Sequence, residues 1–366
     1  MKPFATALLI VFLLAADSPP IVRGQSAAPA ENATGETPPD DQSAVYTVEI
    51  VLRGLEHPSG LALRKGEKKA GPHELFLAES GAGRVVRVTT SRPENIQETI
   101  TGFPKGAPGK TPADRTGLLG ILFLTRTKLI VCGGGAQENQ ETVRVYALPT
   151  DGSPLTAEQT DHSVGLTPGD DRSNGGARNF HALTKTDTAV FVTSSGDGQQ
   201  GWILKAGIEA NRLAFLQPFI ATTEATGGVP TAIAVIPKPR PQFLVVAQRG
   251  KPTAPRDSRL SFYVPSSAAL ALSLPTGLHE IVGLAYSPSG QLYAIDFAGQ
   301  NSAEGGVYRL DDARVNGKQT CRSVKIAAVA RPTALAFTPD GVLYVTALGN
   351  EEDAQQGVLL KIIGDL

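Results

Sequence analysis

One short apolar pattern recurs six times along this chain of 366 residues. Each copy is a run of apolar and small residues, and successive starts are separated by 60, 61, 51, 51 and 51 residues. The copies read GLALR (60–64), GILFL (120–124), HALTK (181–185), AIAVI (232–236), GLAYS (283–287) and ALAFT (334–338). A repeat of this kind predicts one structural unit built six times, because neighbouring units bury each other's apolar faces.

A second apolar run follows each copy, and a third follows after a gap. The second runs are short and rich in Val, Leu and aromatic residues, as in LFLAESG (75–81) and LYVTALG (343–349). Such runs are typical of β-strands. Ser289-Gly290 and Asp340-Gly341 separate first and second runs and predict tight hairpins, since glycine tolerates the positive φ of these turns. Each unit is therefore expected to be an antiparallel meander of four strands.

The two ends of the chain distinguish a closed ring from an open array. The last repeat stops after its third strand (357–362), whereas a surplus strand, YTVEIVLRGL (46–55), precedes the first repeat. If the surplus strand completes the last sheet, the ring closes and an exposed sheet edge disappears. The sequence thus predicts an all-β fold, a six-bladed β-propeller with four antiparallel strands per blade, closed by residues 46–55.

Residues 1–44 differ from the repeats. Lys2, an apolar run over 4–16 and small residues up to Gly24 predict a signal peptide over 1–24, with an uncleaved anchor as the alternative. Residues 25–44 are rich in Pro, Ala and Glu and predict a disordered spacer. We therefore expect a propeller domain over 45–366 in a secreted or periplasmic protein, with no membrane span after signal removal. The net charge of −1 gives no basis for nucleic-acid binding, and we expect a monomer.

The chain has two cysteines, Cys132 and Cys321. They fall in blades two and five, on opposite sides of a ring of six, so we predict no disulfide between them. Both are expected to act as small buried apolar side chains.

One mouth of the central channel is predicted to collect polar side chains. In an antiparallel sheet, the start of the first strand and the end of the second lie at the same edge. The residues three places before each repeat start are His57, Gly117, Arg178, Val229, Glu280 and Arg331. The second strands end at Glu79, Gly133, Ser194, Gln248, Asp296 and Ala347. This pattern favours a polar pocket, although carboxylates such as Glu79 and Asp296 at strand ends also commonly bond backbone N–H groups.

His181 departs from its column of the alignment, which otherwise holds Gly60, Gly120, Ala232, Gly283 and Ala334. Small residues there predict close contact between blades. A departure is expected either at a functional site or where a packed histidine fills space. The ligand-binding residues predicted at the mouth are His57, Arg178, Asn179, His181, Glu280, Asp296 and Arg331. Asn179 aside, we expect at least four of these to face one cavity, and no catalytic residue is assigned.

The runs HPSGLAL, ELFLAESGAGRVVRV, GLAYSPSGQLYAIDFAG and PTALAFTPDGVLYV resemble those of a broad group of six-bladed propellers. The group comprises NHL-repeat, TolB-like, strictosidine-synthase-like and gluconolactonase-like proteins, and the resemblance covers nearly all of residues 45–366. For the gluconolactonase-like enzymes it implies a central divalent metal, usually calcium, that polarises a lactone or ester carbonyl and activates water. Glu79, Asn179 and Asp296 match part of that ligand set, whereas IVGLAY and PTALAF stand where the family has Pro-Asn-Gly.

A second, weaker resemblance is to the soluble quinoprotein sugar dehydrogenases, which are also exported six-bladed propellers. RTGLLGILFL (115–124), NGGAR (174–178) and VFVTSSGDG (190–198) are similar to runs in those enzymes. Their histidine base directly precedes the Asn-Gly-Gly, where this chain has Ser173. The proton acceptor for hydride abstraction is thus missing from its place.

Three functions stay open at this point. The sequence favours a binding module that takes a small-molecule or protein ligand at the mouth of the channel. The alternatives are a calcium-dependent lactonase or esterase and, ranked below it, a quinone-dependent sugar dehydrogenase.

Overall fold

A computed structural model describes residues 46–366 apart from 70, 108–114, 134–140, 168, 171, 174–176, 197–199, 241, 250–255, 299–301 and 350–355. The predicted signal peptide and spacer therefore lie outside the described residues. Val45–Leu366 forms one compact unit. It consists of six small sheets in a ring, so the predicted six-bladed β-propeller is confirmed.

The strands follow the repeats of the sequence. β1 comes first and belongs to the last blade: β1 (Thr47–Leu55). Blade one contains β2 (Pro58–Arg64), β3 (Glu74–Glu79), β4 (Arg84–Thr89) and β5 (Arg92–Thr101). Blade two contains β6 (Leu118–Phe123), β7 (Lys128–Gly133), β8 (Val143–Ala147) and β10 (His162–Val164). Between β8 and β10 the chain forms β9 (Leu155–Thr156), which pairs with β5 of blade one.

Blade three contains β11 (Phe180–Lys185), β12 (Ala189–Ser194), β13 (Trp202–Glu209), the short β14 (Arg212–Leu213) and β15 (Gln217–Ala221), followed by helix α1 (Thr222–Thr226). Blade four contains β16 (Val229–Val235), β17 (Leu244–Arg249), β18 (Arg259–Tyr263) and β19 (Leu270–Pro275). Blade five contains β20 (Ile281–Tyr286), β21 (Leu292–Asp296), a 3₁₀ turn (Ser302–Glu304), β22 (Gly306–Val315) and β23 (Lys318–Ala328). Blade six contains β24 (Pro332–Phe337), β25 (Leu343–Ala347) and β26 (Gly357–Ile363).

The ring closes through the first strand, as the chain ends predict. β1 pairs antiparallel with β26, from Thr47 opposite Ile363 to Leu55 opposite Gly357. The innermost strands β2, β6, β11, β16, β20 and β24 contact one another in that order, and β24 contacts β2. These six strands line the central channel.

Every innermost strand carries a β-bulge at its second or third residue. The pairing shifts between Pro58 and Gly60 in blade one, and the other five blades shift at the matching point. A bulge inserts one unpaired residue and re-aims its side chain. The residues at this level are Ser59, Leu119, His181, Thr231, Val282 and Thr333.

The bulges correct one step of the sequence alignment. Phe180 pairs with Ser194, which aligns Phe180 with the other strand starts and places Ala182 in the column of small residues. His181 therefore belongs to the bulge column, and Asn179, not Arg178, precedes the strand start. The close blade contact predicted for the small column is confirmed, because a Cβ on Gly120 would lie 2.3 Å from the His181 carbonyl oxygen.

The hydrophobic core is divided into six clusters, one at each contact between adjacent blades. The cluster between blades two and three includes Cys132, whereas Cys321 packs on the cluster between blades four and five. Both are free thiols, Cys132 buried and Cys321 half-buried. Among the described residues, no helix has the length and apolar character needed to span a membrane.

Two bulge hydroxyls connect adjacent blades. Ser59 Oγ donates to the carbonyl oxygen of Leu118 and Thr231 Oγ1 donates to that of Ile281, each at 2.5 Å. Each bond therefore ties one innermost strand to the start of the next. A buried carbonyl that loses its donor is costly because water cannot replace it.

We therefore expect Thr231→Val to lower the free energy of unfolding by about 1–3 kcal/mol, since it preserves shape but leaves the Ile281 carbonyl without its donor. Chemical denaturation measures the change. Thr47→Val, on an exposed position of β1, is the matched control and should cost almost nothing. Equal stability of the two variants would contradict a stabilising role for the blade-to-blade hydroxyl bond.

Candidate functional site

The bulge residues surround a small cavity in the central channel. It offers about 30 Å³, room for one or two water-sized groups. Its walls combine hydroxyl, imidazole and apolar side chains with one guanidinium: Ser59, Arg115, Leu119, His181, Ala182, Thr231, Val282 and Thr333. One side chain comes from the bulge of each blade, so the cavity follows directly from the sixfold repeat.

Arg115 supplies the charge of this cavity, and it precedes β6 in the connection from blade one. Its side chain is 6% exposed, and its Nη2 is buried without a hydrogen-bond partner. Burial, together with the positive charge of Arg331, lowers the pKa of Arg115 to about 10. The guanidinium is still protonated at neutral pH, so the cavity holds a positive charge that no described carboxylate neutralises through an ion pair.

His181, unlike Arg115, contributes a polar but uncharged side chain to the cavity wall. Its Nε2 and Ser195 Oγ are hydrogen-bonded at 2.9 Å. Burial lowers the pKa of His181 to about 3, and the positive charges of Arg115 and Arg249 act in the same direction. The imidazole is therefore neutral at physiological pH. Ser195 itself is 1% exposed.

Further charges surround the mouth of the channel. Arg249 is buried at the end of β17, and its Nη1 lies 3.7 Å from Glu280 Oε1. The Arg331 guanidinium stacks 5.7 Å from the centre of the Phe297 ring. Burial lowers the pKa of His57, where a hydrogen bond with the Gly106 backbone opposes the effect and the charges of Arg331 and Arg115 add to it. These groups lie close enough for their charges to influence one another, and positive charges outnumber negative ones among them.

Arg178 and Asn179 occupy the connection into blade three. Asn179 adopts a positive φ of 57°, and its Nδ2 donates to the Gly196 carbonyl at 2.7 Å. The Arg178 carbonyl accepts a hydrogen bond from Ser194 Oγ at 2.6 Å. Glu141 accepts from the Phe180 N–H at 2.9 Å, and burial raises the pKa of Glu141. This segment is held by local bonds that position the start of β11.

Glu79 and Asp296 serve the backbone at the ends of their strands. Glu79 accepts the N–H of Glu56 at 2.8 Å and pairs with Arg84 at 2.8 Å. Asp296 accepts the N–H groups of His279, Glu280 and Ala298. Both side chains are fully buried.

The predicted metal ligands do not fit a metal centre. The carboxylates of Glu79 and Asp296 already accept hydrogen bonds from backbone N–H groups, and Glu79 also pairs with Arg84. Across the described part of the chain, no group of three or more His, Cys, Asp or Glu side chains is placed to hold a metal ion. We therefore derive no chemistry through calcium.

The predicted site residues divide into two groups. His181 lines the cavity. The positive charges of Arg331 and Arg115 act on the pKa of His57. Arg249, whose charge acts on the pKa of His181, pairs with Glu280. Of the predicted residues, His181 lines this cavity, and the expectation that at least four of them face one cavity stays a prediction. Arg115, Arg249 and Ser195 are the residues that the sequence analysis missed.

Comparisons with known proteins support the fold. No protein-family model and no curated protein sequence matches this chain. The PQQ-bound form of aldose sugar dehydrogenase from Streptomyces coelicolor superposes with a TM-score of 0.55 at 13% identity, over 88% of this chain and 99% of that one. A luciferin-regenerating enzyme superposes with a TM-score of 0.54 at 12% identity, over 87% of this chain and 96% of that one. Similarity at these identities establishes the propeller fold alone.

Proposed function

We propose that this protein is a ligand-binding propeller that takes a small molecule at the mouth of its central channel. The observation that carries the proposal is the polar cavity that is lined by one bulge residue from each blade and by the buried guanidinium of Arg115. A buried polar group without a partner costs free energy, so it indicates a site that a ligand completes. As part of this proposal, we retain the prediction from residues 1–24 that the protein is exported.

The size of the cavity favours a small ligand over a protein. Room of about 30 Å³ admits the end group of a small molecule, whereas a protein partner binds through a broad surface. The walls are made by rigid innermost strands, which hold a binding constellation more firmly than loops do. A small molecule whose end group enters the channel is therefore the ligand that the geometry suits.

Hydrolysis is an alternative function that the side chains at the cavity support less well than ligand binding. Ser195 and His181 are hydrogen-bonded at 2.9 Å, the contact that an activated serine requires. A general base works best with a pKa near the operating pH, and the pKa of His181 is lowered to about 3. Ser195 is also 1% exposed, so a carbonyl carbon has no path to its Oγ. The pair is better explained as a structural bond that holds the imidazole at the cavity wall.

Oxidation of a sugar also lacks its base. Ser173 occupies the position of the histidine base in the quinoprotein enzymes and is buried. Asn174, Gly175, Asp197 and Gly198 of that resemblance lie outside the described residues. His181, with its low pKa and its bond to Ser195, is a poor replacement as proton acceptor.

Leu119→Phe tests the binding proposal, because Leu119 lines the cavity and a larger ring there fills it. Leu119→Met, which nearly conserves volume, is the matched control. We expect at least one of acetate, glucose and gluconolactone to raise the melting temperature of the wild type and of Leu119→Met, and none to raise that of Leu119→Phe. No shift with any probe, or equal shifts in all three proteins, contradicts the proposal. Consumption of gluconolactone faster than in protein-free buffer would favour the hydrolase alternative.

A further inference from the structure

The proposed function leaves the chemistry of the ligand open. The burial of Arg115 and its missing hydrogen-bond partner indicate what that chemistry is. The side chain is 94% buried, and its Nη2 lacks any hydrogen-bond partner. No ion pair joins it to a carboxylate of the described residues. A buried guanidinium without an ion-pair partner costs free energy, up to several kcal/mol for a broken buried ion pair.

The groups around Arg115 increase this cost. Arg331 lies close enough to disfavour its charge, and no carboxylate of the described residues opposes that effect. Arg249 is the other cation near His181, and Glu280 lies beside Arg249 rather than beside Arg115. Among the described residues, the charges next to the cavity are therefore mainly positive, and an anion would neutralise them.

The remaining polar side chains of the cavity already make hydrogen bonds. The hydroxyls of Ser59 and Thr231 donate to carbonyl oxygens of the next blade, and Thr333 is bonded to Thr346. His181 Nε2 is bonded to Ser195. Arg115 is thus the charged donor that faces the cavity, and its planar fork matches the two oxygens of a carboxylate.

On the basis of the proposed function, we infer that the ligand is a small carboxylate whose carboxyl group enters the cavity and pairs with the guanidinium of Arg115. The cavity of about 30 Å³ accepts a flat two-oxygen group, with the rest of the ligand extending towards the mouth. A sulfate or phosphate group is bulkier and tetrahedral, so it fits the planar fork and the narrow channel less well. Arg331 and Arg249 contribute a longer-range attraction.

The test uses the full chain and sodium salts at constant ionic strength. Sodium acetate, formate, chloride and sulfate are titrated against the melting temperature of the wild type, Arg115→Met, Arg115→Lys and Arg92→Met. Arg92 is an exposed arginine of β5, so Arg92→Met is the matched control. A ligand that binds the folded state alone stabilises it in proportion to RT ln(1 + [L]/Kd).

We expect acetate and formate to stabilise the wild type and Arg92→Met, with half-saturation at about millimolar concentration for ligands of so few atoms. Arg115→Met should lose this response, and Arg115→Lys should bind acetate about tenfold more weakly, because a lysine retains the charge but not the fork. In low salt without acetate, Arg115→Met should melt no lower than the wild type, since it removes an unpaired buried charge. A purely structural arginine would instead destabilise the protein when replaced.

Three outcomes overturn the inference. An equal response to chloride and acetate means that the site takes any small anion. A response to acetate that survives in Arg115→Met means that another group binds it. If glucose or gluconolactone stabilises the wild type but not Leu119→Phe, while no carboxylate acts, the binding function stands and the carboxylate inference fails. Should Arg115→Met not fold, Arg115→Lys decides between the same outcomes.

Discussion

A chain that lacks residues 1–55 is expected to lose the cooperative unfolding transition of the propeller. The deletion removes β1, whose pairing with β26 closes the ring. It leaves β26 as an open sheet edge and removes Leu55, which is fully buried against blades one and six. Loss of one such leucine costs about 2–5 kcal/mol, and a domain is stable by about 5–15 kcal/mol in total. With a row of backbone hydrogen bonds lost as well, little of the stability remains.

The control for this deletion is the chain 45–366, which keeps β1 and lacks the predicted signal peptide and spacer. We expect it to unfold with the midpoint of the full chain, because Val45–Leu366 is a compact unit by itself. Circular dichroism during thermal and urea denaturation measures all three chains. A chain 56–366 that unfolds as sharply and as late as 45–366 would show that ring closure by β1 contributes little.

The architecture was predictable because it is repeated. Six copies of one apolar pattern specify six sheets, and a missing last strand together with a surplus first strand specifies the closure. Glycines such as Gly120 mark the inner strands because a neighbouring backbone lies against them. Each of these signals is carried by local residue types, so no knowledge of distant contacts is needed.

The register of blade three was wrong by one residue for a physical reason. The apolar pattern fixes which residues lie in a strand but not where an extra residue enters it. The bulge in β11 moves His181 out of the small-residue column and into the cavity wall, beside Ser59 and Thr231 of other blades. The sequence thus singles out His181 correctly but assigns it to the wrong column.

Arg115 could not be found from the repeats. It stands outside the innermost strands, and although it begins the run RTGLLGILFL (115–124), the repeat pattern assigns it no role. Its importance comes from burial without a partner, which is a property of the assembled channel. Glu79 and Asp296 show the converse, since their polar side chains at the predicted mouth are used by backbone N–H groups. The composition of a rim thus does not say which of its groups are available to a ligand.

The second large effect is expected in the dependence of stability on pH. His181 has an ordinary pKa of 6.5 when unfolded and about 3 when folded, chiefly because burial disfavours the imidazolium and because Arg115 and Arg249 repel it. Between these values the unfolded chain binds more protons than the folded one, so stability falls as pH decreases through this window. The contribution is fully present above pH 6.5 and is lost progressively towards pH 3. Its slope is at most about 1.4 kcal/mol per pH unit, reduced by the solvent that the cavity admits to the half-buried ring.

His181→Gln isolates this contribution, since glutamine can keep a hydrogen bond to Ser195 but does not titrate. Urea unfolding at intervals from pH 4 to pH 8 gives the free energy of unfolding of both proteins. We expect the two curves to run parallel above about pH 7 and to converge or cross below it, because only the wild type carries the penalty of protonating His181. His57, whose pKa is also lowered, and the carboxylates titrate in both proteins and cancel in the difference. Parallel curves over the whole range would mean that His181 titrates normally in the folded protein. At pH 5, added acetate should raise the free energy of unfolding of the wild type more than that of His181→Gln. The reason is that a carboxylate beside Arg115 would offset the positive charge that disfavours the imidazolium.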